Sequence, residues 1–403
     1  MDGLDVFYLP EWPPALPSVA RLALLLLAAA VGGELGQRWL KLPRIVGQVG
    51  VGVVLGPQLL GFVGRAMLTE LEPLIRLAIG ALLFELGGRI DFLWLRRNPW
   101  LLLTSALEAG LSFMLVFLVL RWFEVGPLVA ALTATIVMVT SPEVITRITN
   151  DSAAQGQVSE RLRLLTALNC SYAVFILILL RAWLNARYVD EPFSIVLHPV
   201  YLVSASIMLA VVATGLVHGV LRVIGRSASA DTIALLGSVA LLVAAADALK
   251  ASSLISLLAF GALLHNSMSE RRSLPRDFGL LGSVLTLVLF TATGALLEFV
   301  ADQRLWLIAA AVLAVRLIGK CLVTTGLALP SGIGWRKGLL VGIGLAPLSA
   351  LSIVMLRETT ARYPELTPLF PALVLACVAV MQLVGPAMTQ RALLAARETG
   401  ERR

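Results

Sequence analysis

Apolar residues run along this chain in blocks of about twenty, separated by short stretches rich in arginine, proline and glycine. Each block is long enough to cross a hydrocarbon layer of roughly 30 Å as a helix. In lipid the backbone must satisfy its own hydrogen bonds, and long continuous runs do so as helices rather than barrel strands. The pattern predicts an all-α polytopic membrane protein with 13 spans, at 18–36, 45–63, 70–88, 99–121, 126–147, 160–184, 197–223, 230–248, 252–267, 278–300, 304–329, 337–357 and 367–391. The ninth is short and needs its neighbours to cross.

Composition agrees: 58% of the 403 residues are hydrophobic and 14% charged, unlike any soluble domain of this length. The loops set the orientation. Twenty lysines and arginines fall on one side and ten on the other, which places the richer side in the cytoplasm, the N-terminus outside and the C-terminus inside. The net charge of +7 is spread over many short loops, so it reads as topology and not as nucleic-acid binding. Residues 1–17 lack a basic leader and a cleavage pattern, so the first span is expected in the mature protein. Cys170, Cys321 and Cys377 lie inside apolar runs and give neither a disulfide framework nor metal spacing. No nucleophile–base pair or metal cluster appears, so neither an enzyme nor a cofactor is expected.

Thirteen divides as six, one and six, and two six-span halves joined by one span have opposite orientation, the inverted-repeat plan of many transporters. The fifth span is interrupted at Thr140-Ser141-Pro142-Glu143 and the twelfth at Gly342 to Pro347, including Gly344. Helix breakers at matching places in two halves point to a binding site near the midplane.

Two cations lie inside the eleventh span. Charges at bilayer depth mark functional sites by default. Lys320 can alternate between charged and neutral forms, which suits a proton carrier; Arg316 stays charged and must find an anion, a carbonyl array or water. Among the acids, Glu143 follows the break beside Thr140 and Ser141 and is the first candidate for a cation- or proton-binding carboxylate, its alternative being a pair with Arg147. Glu85 stands likewise before Arg89. Glu108 is nearer mid-span and either pairs with Arg316 or lines a water cavity. Asp247 reads as interfacial beside Lys250. Asn169, Cys170 and Ser171 form a polar patch in the sixth span, and Thr140 is expected to meet Asn169. His218 and His265 read as structural.

Several segments together resemble the monovalent cation:proton antiporter superfamily, in particular its bacterial potassium-efflux branch. They are Gly33 to Pro57, Ile79 to Phe92, Thr140-Ser141-Pro142, Leu254 to His265, Lys320, and Gly342 to Val354. The resemblance spans about residues 20 to 390. It implies a dimerisation panel (1–98 and 230–300), an ion-translocating core (99–184 and 304–391) with two crossed broken helices, a linker helix (197–223) and no soluble domain. It further implies a homodimer in the bacterial inner membrane that exchanges Na⁺ or K⁺ for protons by alternating access. Two departures stand out. The family's asparagine–aspartate pair is here Asn169-Cys170, and a carboxylate common after the second break is missing from Pro347-Leu348-Ser349-Ala350. Glu143 or Glu108 then carries the charge, or the chain moves anionic solutes, or it no longer transports and serves as a sensor or assembly partner.

Overall fold

In a computed structural model, described over residues 18–185, 192–224, 228–268, 278–297, 302–348, 350–366 and 369–400, every predicted span coincides with a helix or a broken pair. The helices are α1 (Ser18–Leu40), α2 (Arg44–Leu55), α3 (Arg65–Gly87), α4 (Phe92–Arg97), α5 (Pro99–Trp122), α6 (Pro127–Val137), α7 (Pro142–Asp151), α8 (Gln157–Asn185), α9 (Pro192–Ile224), α10 (Ala228–Ala248), α11 (Ser253–Ser267), α12 (Gly279–Ala295), α13 (Gln303–Gly326), α14 (Trp335–Gly344), α15 (Ala350–Arg362) and α16 (Leu369–Ala395). The basic residues 187, 226, 271, 272, 276, 402 and 403, used for orientation, lie outside the described residues.

Eight segments among the described residues are long and apolar enough to cross a membrane. Three others are shorter apolar helices, of which α11 was expected to be short and α2 and α12 end before their predicted spans do. The span anticipated at 45–63 is helical only through Leu55, because Gly56-Pro57 ends it; its 12 residues rise about 18 Å. Helices α11 and α12 are also short apolar helices. The short helix α4 was not anticipated.

The packing follows the two-repeat plan. Helices α1–α3 pack with α10–α12, α5–α8 pack with α13–α16, and α9 lies against α8, α10 and α11. The contacts match between halves: α2 lies on α12 as α11 lies on α3, and within each half α5 lies on α6 as α13 lies on α14. Glycines make the first match possible. A Cβ on Gly52 would lie 2.1 Å from the Thr291 carbonyl oxygen, and one on Gly294 2.2 Å from that of Val49. At the other crossing, of α3 with α11, a Cβ on Gly261 would meet the Phe84 carbonyl at 2.1 Å, and one on Gly87 that of Leu258 at the same distance. Two crossings of near-identical build, each with a glycine on both helices, are the signature of a duplicated unit.

Both breaks carry a proline. Pro142 has no N–H and biases Ser141 away from helix, so α6 stops at Val137 and α7 restarts at Pro142, with Ser141 Oγ accepting from Val144 N at 3.2 Å. Pro347 stands in the corresponding link, between the end of α14 at Gly344 and the start of α15 at Ala350. Beyond α16 the chain doubles back. The Glu398 carboxylate, 8% exposed, accepts from the backbone N–H of Val158 and Ser159 at 2.9 Å, at the positive end of α8. Lys337 of α14 reaches the same carboxylate at 3.4 Å. Gly156, at φ +155°, leaves the space, since a Cβ there would lie 2.3 Å from Glu398 Cδ.

Candidate ion-binding site

Lys320 lies on the face of α13 that packs against α5, and it is 0% exposed. Burying an ammonium costs several kcal/mol unless an anion and further acceptors meet it. Glu108 of α5, also 0% exposed, supplies the anion: Lys320 Nζ donates to Glu108 Oε1, to the Met138 carbonyl at 3.2 Å and to Thr140 Oγ1 at 3.2 Å. The other carboxylate oxygen accepts from Asn169 Nδ2 at 2.6 Å, and Ser112 Oγ stands 3.4 Å from Oε1. An amide beside a carboxylate must present its nitrogen, and Asn169 Oδ1, also buried, has no hydrogen-bond partner among the described residues.

Glu108 therefore pairs with Lys320 and not with Arg316. Thr140 meets Cys170 rather than Asn169, the buried thiol donating to the Thr140 carbonyl at 3.6 Å. Glu108, Lys320, Asn169, Cys170 and Thr140 thus converge on the first break from α5, α13, α8 and the link 138–141.

Arg316, one turn from Lys320, solves a separate problem. The last carbonyls of a helix have no intrahelical partner and carry the negative end of its dipole. Two such ends meet at the crossing. Arg316 Nε donates to Val137 O at 2.6 Å, Nη1 to Ala346 O at 2.6 Å, and Nη2 to Val139 O at 2.7 Å and Leu345 O at 3.3 Å. One planar guanidinium thus holds the C-terminal ends of α6 and α14 together, the carbonyl array being the one of its three expected partners that the fold provides. Two bonds complete the crossing: Ser141 N donates to Pro347 O at 3.0 Å and Thr140 Oγ1 to Leu345 O at 3.0 Å.

Glu143 is elsewhere. It sits in the first turn of α7, 2% exposed, lining a cavity of about 200 Å³ between α7, α3 and α12 together with Glu85, Arg147 and Ser283. Arg147 bonds Asp151 at 3.2 Å and Ser283 at 3.2 Å. Glu85 accepts from Phe278 N at 3.2 Å, and Asp247 bonds Arg76 at 2.6 Å across two helices. His218 Nδ1 lies 2.8 Å from the Thr214 carbonyl, as expected of a structural histidine.

The sequence reading overlooked Ser112 and Gln382. Ser112 follows Glu108 by one turn, and with Ser105 the three form a polar stripe on an otherwise apolar helix, a signal that could have ranked Glu108 above Glu143. Among the described residues no three His, Cys, Asp or Glu side chains gather as a transition-metal site would need. The side-chain oxygens of Glu108, Asn169 and Thr140 are hard donors rather than soft ones.

Comparison with known proteins agrees with this architecture. A family model described as sodium/hydrogen exchanger, transmembrane, matches residues 22–393. No curated protein matches the chain. Two solved structures of the sodium proton antiporter MjNhaP1 from Methanocaldococcus jannaschii resemble it in fold. One, at pH 8, has a TM-score of 0.65 at 14% identity over 94% of this chain and 95% of that one. The other, from electron microscopy, has a TM-score of 0.71 at 15% identity over 96% and 98%. With the match running from the first span to the last and the two broken helices crossing beneath a buried lysine, the chain belongs to the sodium/hydrogen exchanger family, whose members are membrane cation/proton antiporters and not enzymes.

Proposed function

We propose that this protein exchanges Na⁺ or K⁺ for protons, with Glu108 as the carboxylate that the cation and the Lys320 ammonium share in turn. The observation that carries the reading is the Lys320–Glu108 pair, sealed from solvent and adjoining Asn169 Oδ1, an acceptor with no partner among the described residues. Charge conservation supplies the coupling. Carboxylate plus ammonium is neutral, and so is carboxylate plus alkali cation plus neutral amine. A state with one net charge more would leave an uncompensated ion in a low-dielectric site, at a cost of several kcal/mol. An arriving cation therefore displaces the ammonium only as Lys320 gives up its proton, which makes the exchange at this pair one for one. Asn169 Oδ1 and Thr140 Oγ1 are the neutral ligands that join Glu108 around the ion. Cys170, neutral and already donating to Thr140, leaves this site with a single acid.

In this reading α5–α8 and α13–α16 move together as the ion-carrying core. Helices α1–α3 and α10–α12 form the panel of a homodimer in the inner membrane, and α9 links the two. Glu143 and Glu85 line the cytoplasmic vestibule. An anion-carrying cycle has less support, because every nitrogen of Arg316 is engaged by carbonyls and Lys320 is engaged by Glu108.

Purified protein in proteoliposomes loaded with a pH-sensitive dye tests the proposal, with Na⁺ and K⁺ gradients compared as drivers. Glu108→Gln should abolish cation-driven proton movement, whereas Glu143→Gln should keep it with a raised half-saturating cation concentration. Normal exchange in Glu108→Gln together with a dead Glu143→Gln would move the charge to the vestibule and overturn the assignment.

A further inference from the structure

Gln382 stands in α16, fully buried, and among the described residues neither Oε1 nor Nε2 of its amide has a partner. A primary amide has two donors and an acceptor. Native interiors hold few such groups unpaired, and each calls for water, an ion or a functional role. The position of Gln382 supplies one. Gly385, one turn on, lies so close to the second break that a Cβ there would sit 2.7 Å from Pro347 Cα. Thr389, a further turn on, donates to Gly344 O at 2.9 Å. The side of α16 that carries residues 382, 385 and 389 therefore runs along the link between α14 and α15. Three carbonyls of that link are committed: Leu345 accepts from Thr140, Ala346 from Arg316 and Pro347 from Ser141. Helix α8, which corresponds to α16 in the other repeat, carries Asn169, whose Oδ1 is likewise buried and, among the described residues, unpaired beside the first break.

We propose that Gln382 is a second neutral oxygen ligand on the cation's route, holding the ion or one water of its shell beside the second break as Asn169 does beside the first. The inference rests on the exchange reading above, and its logic is thermodynamic. An amide kept for packing alone gains nothing from being unpaired, and an apolar side chain of the same volume would serve the fold at least as well. An amide kept for an ion is retained against stability, a common trade at functional sites.

Gln382→Met, which keeps volume and removes the hydrogen-bonding atoms, separates the two cases. The thermal midpoint of the purified protein is expected to hold or rise by about 2 °C. The cation concentration for half-maximal exchange is expected to rise about tenfold, the loss of one good polar ligand, with the maximal rate largely retained. An unchanged half-maximal concentration overturns the inference. So does a midpoint lowered by several degrees, which would reveal a protein partner for the amide. Glu108→Gln, measured alongside, keeps the two proposals apart. If it exchanges ions normally, the shared-carboxylate reading fails; if it is inactive while Gln382→Met behaves as wild type, only the present inference falls.

Discussion

Removing the amine of Lys320 while leaving Glu108 in place isolates the central interaction of the site. In Lys320→Met the carboxylate stays fully buried and loses its ammonium partner, keeping Asn169 Nδ2 at 2.6 Å and Ser112 Oγ at 3.4 Å. Two neutral donors compensate a buried anion poorly, and breaking a buried pair from one side costs about 3–5 kcal/mol. Replacing both partners is different. Glu108→Gln with Lys320→Met leaves a neutral amide that still hydrogen-bonds Asn169 and Ser112 beside an apolar side chain of similar volume, and such exchanges are often neutral in stability. The coupling between the two changes should therefore be about 2 kcal/mol or more in favour of the double variant. Thermal unfolding in detergent, followed by intrinsic fluorescence, reads the difference as a midpoint about 5 °C below wild type for Lys320→Met, from about 1.2 °C per kcal/mol for a chain of this length, with most of it recovered in the double variant. A single variant as stable as wild type, or a double variant no better than the single, would refute the claim that a charged pair is held there.

Three further outcomes follow from the geometry. Arg316→Lys keeps the charge but not the planar fork, so it abandons at least one of the carbonyls of Val137, Val139 and Ala346; with charge-assisted bonds worth about 1.5–3 kcal/mol each, the midpoint should fall by several degrees and exchange should fail, whereas wild-type behaviour would mean that the crossing does not depend on the clasp. Cys170→Asp adds a second acid beside a single lysine, so solid-supported-membrane recordings should detect net charge movement absent from wild type, and an electrically silent but active variant would contradict the charge balance proposed here. Gly52→Ala drives a methyl into the Thr291 carbonyl and Gly261→Ala drives one into that of Phe84; each should cost about 1–3 kcal/mol by forcing the helices apart, and a matched loss of thermal stability in both would fit the repeat, while tolerance of either would mean that the crossing is looser than drawn.

Much of this architecture was legible in the sequence because the membrane imposes it. Length and hydropathy locate helices, and Pro142 and Pro347 mark the two breaks. Lys320 stood out because an ammonium in an apolar run has no local explanation. Its partner did not, because nothing along the chain joins Glu108 to a lysine 212 positions away. Local cues instead favoured Glu143, which sits beside the break but turns to a cavity shared with α3 and α12. Likewise a span reading shows that Arg316 needs acceptors, whereas only the crossing of α6 with α14 reveals that those acceptors are backbone. The early stop of α2 was in view as Gly56-Pro57, but the apolar residues beyond it outweighed the breaker.

The Glu398 carboxylate lodged in the opening turn of α8 makes the stretch beyond α16 structural rather than ornamental. A fluorescent protein or affinity handle joined straight after Ala395 would strip two amide donors of their acceptor and deprive Lys337 of a counter-ion, on the same helix whose middle presents Asn169. The same handle attached past Gly400 keeps the knot tied, so the choice of junction decides whether a tagged protein reports on the native transporter or on a loosened one.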